Sequence, residues 1–554
     1  MPQTATHSHR PVARPRHSAP RGPRTQPWRW ATAWICLSVL GLTMASSATA
    51  QAGAAQANAA RDTTARDPAA QRLFDEAKRL EAAGDQEAAL RELGLLVQQF
   101  PRDTLAPKAL LATAELSDAR GDRDGARSAL ERLFNAYPRT LEAAAGFVLE
   151  AEIRVNQARS TQDLEEARTS YRRVPLLYGA DRFPDLEPRS RALLESAEIG
   201  LRLGDVGGAA AELLAIVEDE PPGAWTPRAR LLLAKALVHQ GETTPAIDLF
   251  QRIVLGDGAA GDGAADDGTA VDDGTRGEAR RWLSLLHRHV VRPAAGSPIW
   301  TTTRRFPSDG TALREPSGVA AGHTGRILVV DAKADMVFLV DADGGVLQRK
   351  ALKDAERPGW STDSWPHVVS DREVTLPFHG QRTGFLEPRP DRENPLKGMG
   401  AAARGIFGDW FVLARGYKGL LVYESRRRGT EVLAASRADF VDLAQDPTGR
   451  VYALDARGKQ VLRIGHDRRS EGAVVRGAWR RPEALAIDAL GKLYVLDRGN
   501  STIEIYAPTG QRLQTLGPQL GNGVELRSPM DIAVDADGRL LIADRRLPFI
   551  VVLD

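Results

Sequence analysis

The stretch Pro482-Glu483-Ala484-Leu485-Ala486-Ile487-Asp488, followed by Gly491-Lys492-Leu493-Tyr494-Val495-Leu496-Asp497, decides the fold of the C-terminal half. It returns as Pro529…Ala533-Val534-Asp535 and Gly538-Arg539-Leu540-Leu541-Ile542-Ala543-Asp544. Its second part also stands at Gly325-Arg326-Ile327-Leu328-Val329-Val330-Asp331 and at Gly449-Arg450-Val451-Tyr452-Ala453-Leu454-Asp455. In all four, Gly lies six residues before Asp. A short apolar run between two turn formers reads as a strand, and a repeat of about 40 residues built from such strands marks a propeller.

The gap between Asp331 and Asp455 leaves room for two more units. One is Gly408-Asp409-Trp410-Phe411-Val412-Leu413-Ala414, with Leu420-Leu421-Val422-Tyr423 as its next strand; the other is placed, strongly divergent, near Val368 to Thr375. That predicts six blades over 295–554. The chain ends at Phe549-Ile550-Val551-Val552-Leu553, one strand short, and the strand at Trp300 to Phe306 is expected to close the ring and remove the open sheet edge. The Pro…Ala-x-Asp…Gly-(Arg/Lys) pattern resembles the NHL repeat family of six-bladed propellers, whose relatives include binding platforms, lyases and lactonases. A residue demanded by every blade belongs to the frame. Asp331, Asp455, Asp497 and Asp544 are therefore expected to accept backbone N–H bonds at turns. Function must then lie in what the blades do not share, and no trio of ionisable groups is expected on the axle of the wheel.

Residues 68–255 read as helices, with apolar residues at spacings of three and four, such as Leu73, Ala77, Leu80 and Leu90, Leu93, Val97. A joint recurs at Gly84-Asp85…Ala88, Gly121-Asp122…Ala126, Gly204-Asp205…Ala209 and Gly241-Glu242…Ala246. Gly suits a left-handed helix end, the acid opens the next helix, and the small Ala lets two antiparallel helices approach. The first two joints lie 37 residues apart, as do the last two; the 83 residues between hold a degenerate copy with a helix from Glu166 to Tyr178. Phe100-Pro101 and Tyr137-Pro138 then stop the second helices. These residues resemble tetratricopeptide repeats of the bacterial cell-envelope type. The resemblance implies an α-solenoid whose concave groove binds peptides or proteins. Residues 256–278, rich in Gly and Asp, are expected to form a flexible acidic loop, and 279–292 a capping helix with Trp282, Leu283, Leu286 and Val290.

The chain of 554 residues is 42% hydrophobic and 26% charged, with 74 basic and 72 acidic side chains, so no global field drives it onto nucleic acid. Its start is lopsided: Arg10, Arg14, Arg16, Arg21, Arg24 and Arg29 without an acid, then an apolar run to Met44, then Ala48-Thr49-Ala50. This predicts a signal peptide over 1–50, cleaved after about Ala50, and a flexible leader over 51–67. An uncleaved anchor is the alternative, and would be the one membrane attachment. Cys36 is the single cysteine and falls inside the signal, so the mature chain would hold neither disulfide nor thiolate metal site.

Gly256-x-Gly258-x-x-Gly261 matches a dinucleotide fingerprint in letters only, since it follows a helix and carries Asp257 and Asp262. The same run lacks the ligand register of a Ca²⁺ loop. His323, His367, His379 and His466 show no zinc-ligand spacing and read as surface or turn residues. Residues 354–400 combine Trp360, Trp365, His367, Phe378, His379 and Phe385 with Arg357, Arg372, Arg382, Arg389 and Arg392. Trp360, Trp365, His367, Arg372, His379 and Arg382 are the candidate ligand-binding set, suited to an anionic or sugar-like ligand or to a partner's acidic loop; the alternative is a divergent blade packing on itself. The expected function is an exported interaction scaffold in a bacterial envelope, periplasmic or extracellular, with no cofactor. Partner polypeptides bind the helical groove, and an envelope glycan or protein binds the propeller. Two rivals are a propeller lyase or hydrolase using a metal, with the array as docking arm, and a glycan-binding or peptidoglycan-binding sensor.

Overall fold

The computed structural model describes residues 67–179, 187–218, 223–255, 271–294, 299–322, 324–361, 366–388, 394–424, 429–432 and 438–554. The expected signal peptide, nearly all of the leader, most of the acidic loop, His323, Trp365, Arg389 and Arg392 lie outside these residues.

Five antiparallel helix pairs come first. They are α1 Pro68–Ala82 with α2 Gln86–Gln99, α3 Leu105–Ala119 with α4 Arg123–Ala136, α5 Leu141–Gln157 with α6 Thr161–Leu177, α7 Glu187–Leu203 with α8 Val206–Glu218, and α9 Thr226–Gln240 with α10 Thr243–Leu255. Gly84, Gly121, Gly204 and Gly241 all take positive φ, between 77° and 86°, the left-handed turn that ends a first helix. Asp85, Asp122 and Asp205 then accept the amides of Ala88, Gly125 and Gly208 at 3.0 Å, opening the second helices. The small residue packed between helices is Ala126, Ala209 or Ala246, each fully buried. In the first pair this place is taken by Ala89, not the expected Ala88, which is half-buried. Ala88 supplies the capped amide, and one residue further turns the side chain about 100° onto the partner helix.

The degenerate third pair opens α6 at Thr161, earlier than Glu166, because Ser160 and Asp163 cap each other's backbone in place of the Gly-Asp joint. Tyr178 donates its hydroxyl to Pro138 O at 2.8 Å, and Tyr137 does the same to Pro101 O, so the aromatic that stops each second helix also ties it to the preceding repeat. The eleventh helix, α11 Asp273–Leu286, starts before residue 279 because Asp272 caps it through the Thr275 amide. It covers the end of the array by stacking Trp282 on Phe250, ring centroids 5.7 Å apart.

Residues 303–554 form six four-stranded antiparallel sheets. In chain order the blades are 316–351, 355–384, 399–432, 440–476, 482–516, and 529–553 completed by Thr303–Phe306, which pairs with Ile550–Leu553. The ring is thus closed by strands from both ends, as the short last blade demands. Asp331, Asp455, Asp497 and Asp544 end the second strands and are all buried. Each does more than cap its own turn. Asp497 accepts Gly499 N there and also Arg480 N and Arg481 N, ahead of the blade's first strand; Asp331 and Asp544 repeat the arrangement. Ser370 and Ala414 hold this place in the two divergent blades.

The helical array rests on the propeller face formed by the turns between first and second strands. Arg288, just after α11, bridges Asp537 O and the Asp554 carboxylate. His289 Nε2 donates to Gly538 O at 2.9 Å, and Trp300 Nε1 donates to the same oxygen at 3.1 Å. Burial, with nearby Lys492, pushes the His289 imidazole down to about 3, so it sits there neutral with its proton on Nε2. His466 Nε2 donates to Arg202 O at the first-to-second-helix joint of the fourth pair. Gly538 has φ +76°, and a Cβ on it would lie 2.7 Å from both His289 and Leu285. Gly538→Ala is therefore expected to cost about 1–2 kcal/mol in backbone strain alone and to part the two halves locally. Hydrogen exchange should rise together over 285–292 and 535–540; unchanged protection in both segments would contradict this.

Candidate functional site

In every blade the first strand is innermost and carries a bulge at its second residue, so its third residue opens the regular pairing with the second strand. Around the ring this third residue is Gly318, Arg357, Ala401, Asp442, Ala484 and Asp531. Small and charged residues alternate, and the three charges converge on the axis. Arg357 Nη1 lies 2.7 Å from Asp442 Oδ1, while its Nη2 donates to Glu483 O at 2.8 Å. Asp442 Oδ2 accepts the Leu485 amide at 2.7 Å. Asp531 accepts Val319 N at 3.0 Å and Ile532 N at 2.9 Å. Each carboxylate thus takes up an edge amide of the next blade, an amide that faces the channel with no other strand to pair with. Gly318 is small of necessity, since a Cβ there would stand 2.3 Å from Pro358.

Asp442 and Asp531 are buried, and the Arg357 side chain between them is 15% exposed. Burial pushes the Asp531 carboxyl up, to about 7; Arg357 opposes the rise and Asp442 adds to it. Asp442 is raised for the same first reason. Burial acts against the Arg357 charge, but the fields of Asp442, Asp531 and Glu483 outweigh it and hold the guanidinium ionised. The trio floors a cavity of about 140 Å³ with walls of small apolar side chains, into which Trp360 and His367 also face. Chemically, the floor offers one fixed cation and a carboxyl that exchanges its proton near neutrality. Every carboxylate oxygen is nonetheless already engaged by an amide or the guanidinium.

The six candidate residues of 354–400 do not form one site. Trp360 and His367 line the axial cavity, with His367 Nε2 3.1 Å from Ala402 O. Arg372, His379 and Arg382 are exposed on the outer part of the same blade, where Arg372 lies 3.6 Å from Asp371 and Arg382 3.3 Å from Glu373. Trp365 is outside the described residues. The stretch is a whole blade, so residues close in sequence are carried from the axle to the rim. Phe378 packs with Trp360 against one apolar cluster, and Phe385 is buried in another. His367 is likewise buried and not a surface or turn residue.

The expectation that no ionisable trio occupies the axle is overturned. Its signal was present in the sequence: the third residue after the start of each inner strand is the position at which the blades disagree in charge. In the sequence Asp442 and Asp531 are outnumbered by the aspartates the blades share, and Arg357 is one arginine in a string.

Residues 108–140 match the tetratricopeptide-repeat family model. They span most of α3 and α4 and the turn after them. No curated protein matches the chain. Similar solved structures include a streptogramin B lyase, at 13% identity and TM-score 0.35 over 46% of this chain and 97% of that one. Others are a gluconolactonase from Xanthomonas campestris, at 13% and 0.33 over 44% and 86%, and the calcium-binding protein regucalcin from Agrobacterium tumefaciens, at 14% and 0.32 over 45% and 92%. Likeness at this level carries no ligand and no reaction to this chain. A helical-repeat array joined to a six-bladed propeller is, in general terms, a protein-interaction scaffold.

Proposed function

We propose that the protein is an exported scaffold of a bacterial envelope, whose helical array binds a partner polypeptide while the propeller holds the array in place and offers its far face to a second partner. The supporting observation is the way the halves meet. The array touches the propeller through its later joints and the end of α11, at Arg202, Gly204, Arg288 and His289. The first helices touch one another along the array and so line its concave side. None of the charges acting on Glu115, Glu152 and Glu195 on that side comes from the propeller. Export rests on the basic start, the apolar run and Ala48-Thr49-Ala50. N-terminal sequencing of the protein from its native cell, with crosslinking and mass spectrometry of the same fraction, tests both parts. A start near residue 51 and crosslinks from 68–255 to another polypeptide are expected. An unprocessed cytoplasmic chain without such crosslinks would refute the proposal.

The axial trio and its cavity favour a second reading, a small-molecule site or reaction centre within the propeller. A small molecule retained by the purified protein in native mass spectrometry would move the balance toward it.

A further inference from the structure

The turns between second and third strands, and the residues directly ahead of each first strand, lie on the propeller face opposite the array. Each of the six blades places an exposed cation there: Lys333, Lys353, Lys397, Arg457, Arg480 and Arg546 in chain order. None of these has an ion pair among the described residues. Acids are fewer in the same segments. Glu315 is taken by Arg545 at 3.1 Å and Asp371 lies 3.6 Å from Arg372, which leaves Asp335, Asp354 and Asp439 exposed. The framing aspartates beneath are buried and already engaged by backbone amides. On the array's side the charges are matched instead: Asp535 is met by Arg539 at 2.6 Å and Asp409 by Arg468 at 3.2 Å. The wheel is thus polarised, with its surplus of positive charge on the face that the array leaves open.

That face lacks what other kinds of partner would use. The exposed large apolar side chains of the propeller, Leu347 and Leu513, stand on fourth strands. No exposed aromatic occurs among the described residues of the charged segments. A protein interface is anchored by apolar or aromatic groups at its centre, and a nucleic-acid strand needs a track with rings to stack on. Cations spread around a ring, one from each blade, match a plane of many anions.

We infer that this face docks on a bilayer rich in anionic phospholipid, with the six cations set against phosphate headgroups. This rests on the exported scaffold proposed above and names its second partner. The array, on the opposite face of the propeller, is then held on the aqueous side.

Sedimentation with vesicles of phosphatidylglycerol and phosphatidylcholine in equal parts, or of phosphatidylcholine alone, provides the test. The chain from residue 51 is used, because it lacks the basic start and keeps the compact unit 66–554 whole. Binding to the mixed vesicles and not to phosphatidylcholine is expected, and it should fall as salt rises. Lys353→Gln, Arg457→Gln and Arg546→Gln together should weaken it about a hundredfold. Removing the same charge from exposed arginines of the array, with Arg91→Gln, Arg127→Gln and Arg252→Gln, should change nothing. No binding to the mixed vesicles, or equal binding by the first triple variant, overturns the inference. So does an equal loss with the second, which would reveal diffuse attraction in place of a docking face. Capture by soluble polyphosphate with the vesicles ignored would assign the face to a linear polyanion and overturn the bilayer. Any of these results alongside crosslinks from 68–255 to another polypeptide would leave the scaffold function standing.

Discussion

Replacing Arg357 with methionine is expected to destabilise the propeller by about 3–5 kcal/mol, because it leaves two buried carboxylates near one another without a counter-charge. The guanidinium, from the second blade, contacts Asp442 of the fourth blade and Glu483 O of the fifth, and lies within the field of Asp531 in the sixth. Its loss removes ties between opposite sides of the ring as well as a charge. Combining it with Asp442→Asn and Asp531→Asn should restore most of the stability, since neutral amides still accept from the strand edges and no unpaired charge remains buried. Urea unfolding followed by tryptophan fluorescence distinguishes these variants. A methionine variant that unfolds with the parent would show that the trio does not brace the ring.

The same cluster sets a pH dependence. The Asp531 carboxyl, raised to about 7 in the fold from an ordinary value near 3.8, keeps a proton that the unfolded chain releases over the window between. Its contribution to stability is therefore greatest at the acid end of that window and declines as pH climbs through it. Asp531→Asn should flatten this decline while leaving the acid-side stability nearly unchanged.

Asp497→Ala is expected to cost about 3 kcal/mol, the summed effect of removing a buried acceptor that serves four part-buried donors. Its oxygens receive Arg480 N at 2.8 Å, Arg481 N at 2.7 Å, Gly499 N at 3.0 Å and Asn500 Nδ2 at 2.7 Å, and the residue is 1% exposed. The connection entering the fifth blade is thereby fastened to the end of its second strand. Asp497→Asn should fall between the parent and Ala, because an amide keeps one accepting oxygen of two. Equilibrium denaturation gives the ordering; an alanine variant within about 0.5 kcal/mol of the parent, the range of ordinary surface changes, would show that the repeated aspartate is dispensable.

How much of this could be read without coordinates depended on the range of the interaction. The Gly-Asp joints at 84, 121 and 204 were legible because a left-handed turn and an N-cap are decided within five residues. Counting five residues after Gly84 instead of four would also have placed Ala89 correctly. The third pair was blurred because Ser160 and Asp163 do the work of a joint in different letters. The six blades followed from strand and turn chemistry, and even Thr303–Phe306 as the closing strand followed from the shortness of the last blade. By contrast, the grouping of Trp360, Trp365, His367, Arg372, His379 and Arg382 failed because nearness along a chain is not nearness in a blade. One strand lies at the axle, and three strands later the chain is at the rim.

The repeats alone established the two architectures, their order and the framing role of the shared aspartates, because periodicity and turn formation are local properties of the polypeptide. The meeting of Arg357, Asp442 and Asp531 is of another kind. It joins residues many tens of positions apart, and exists because closing the ring points the third residue of every inner strand at one line. The seating of His289 and Arg288 on Gly538, Asp537 and Asp554 likewise arises from packing between distant segments, where burial strengthens hydrogen bonds and charges that no local pattern announces.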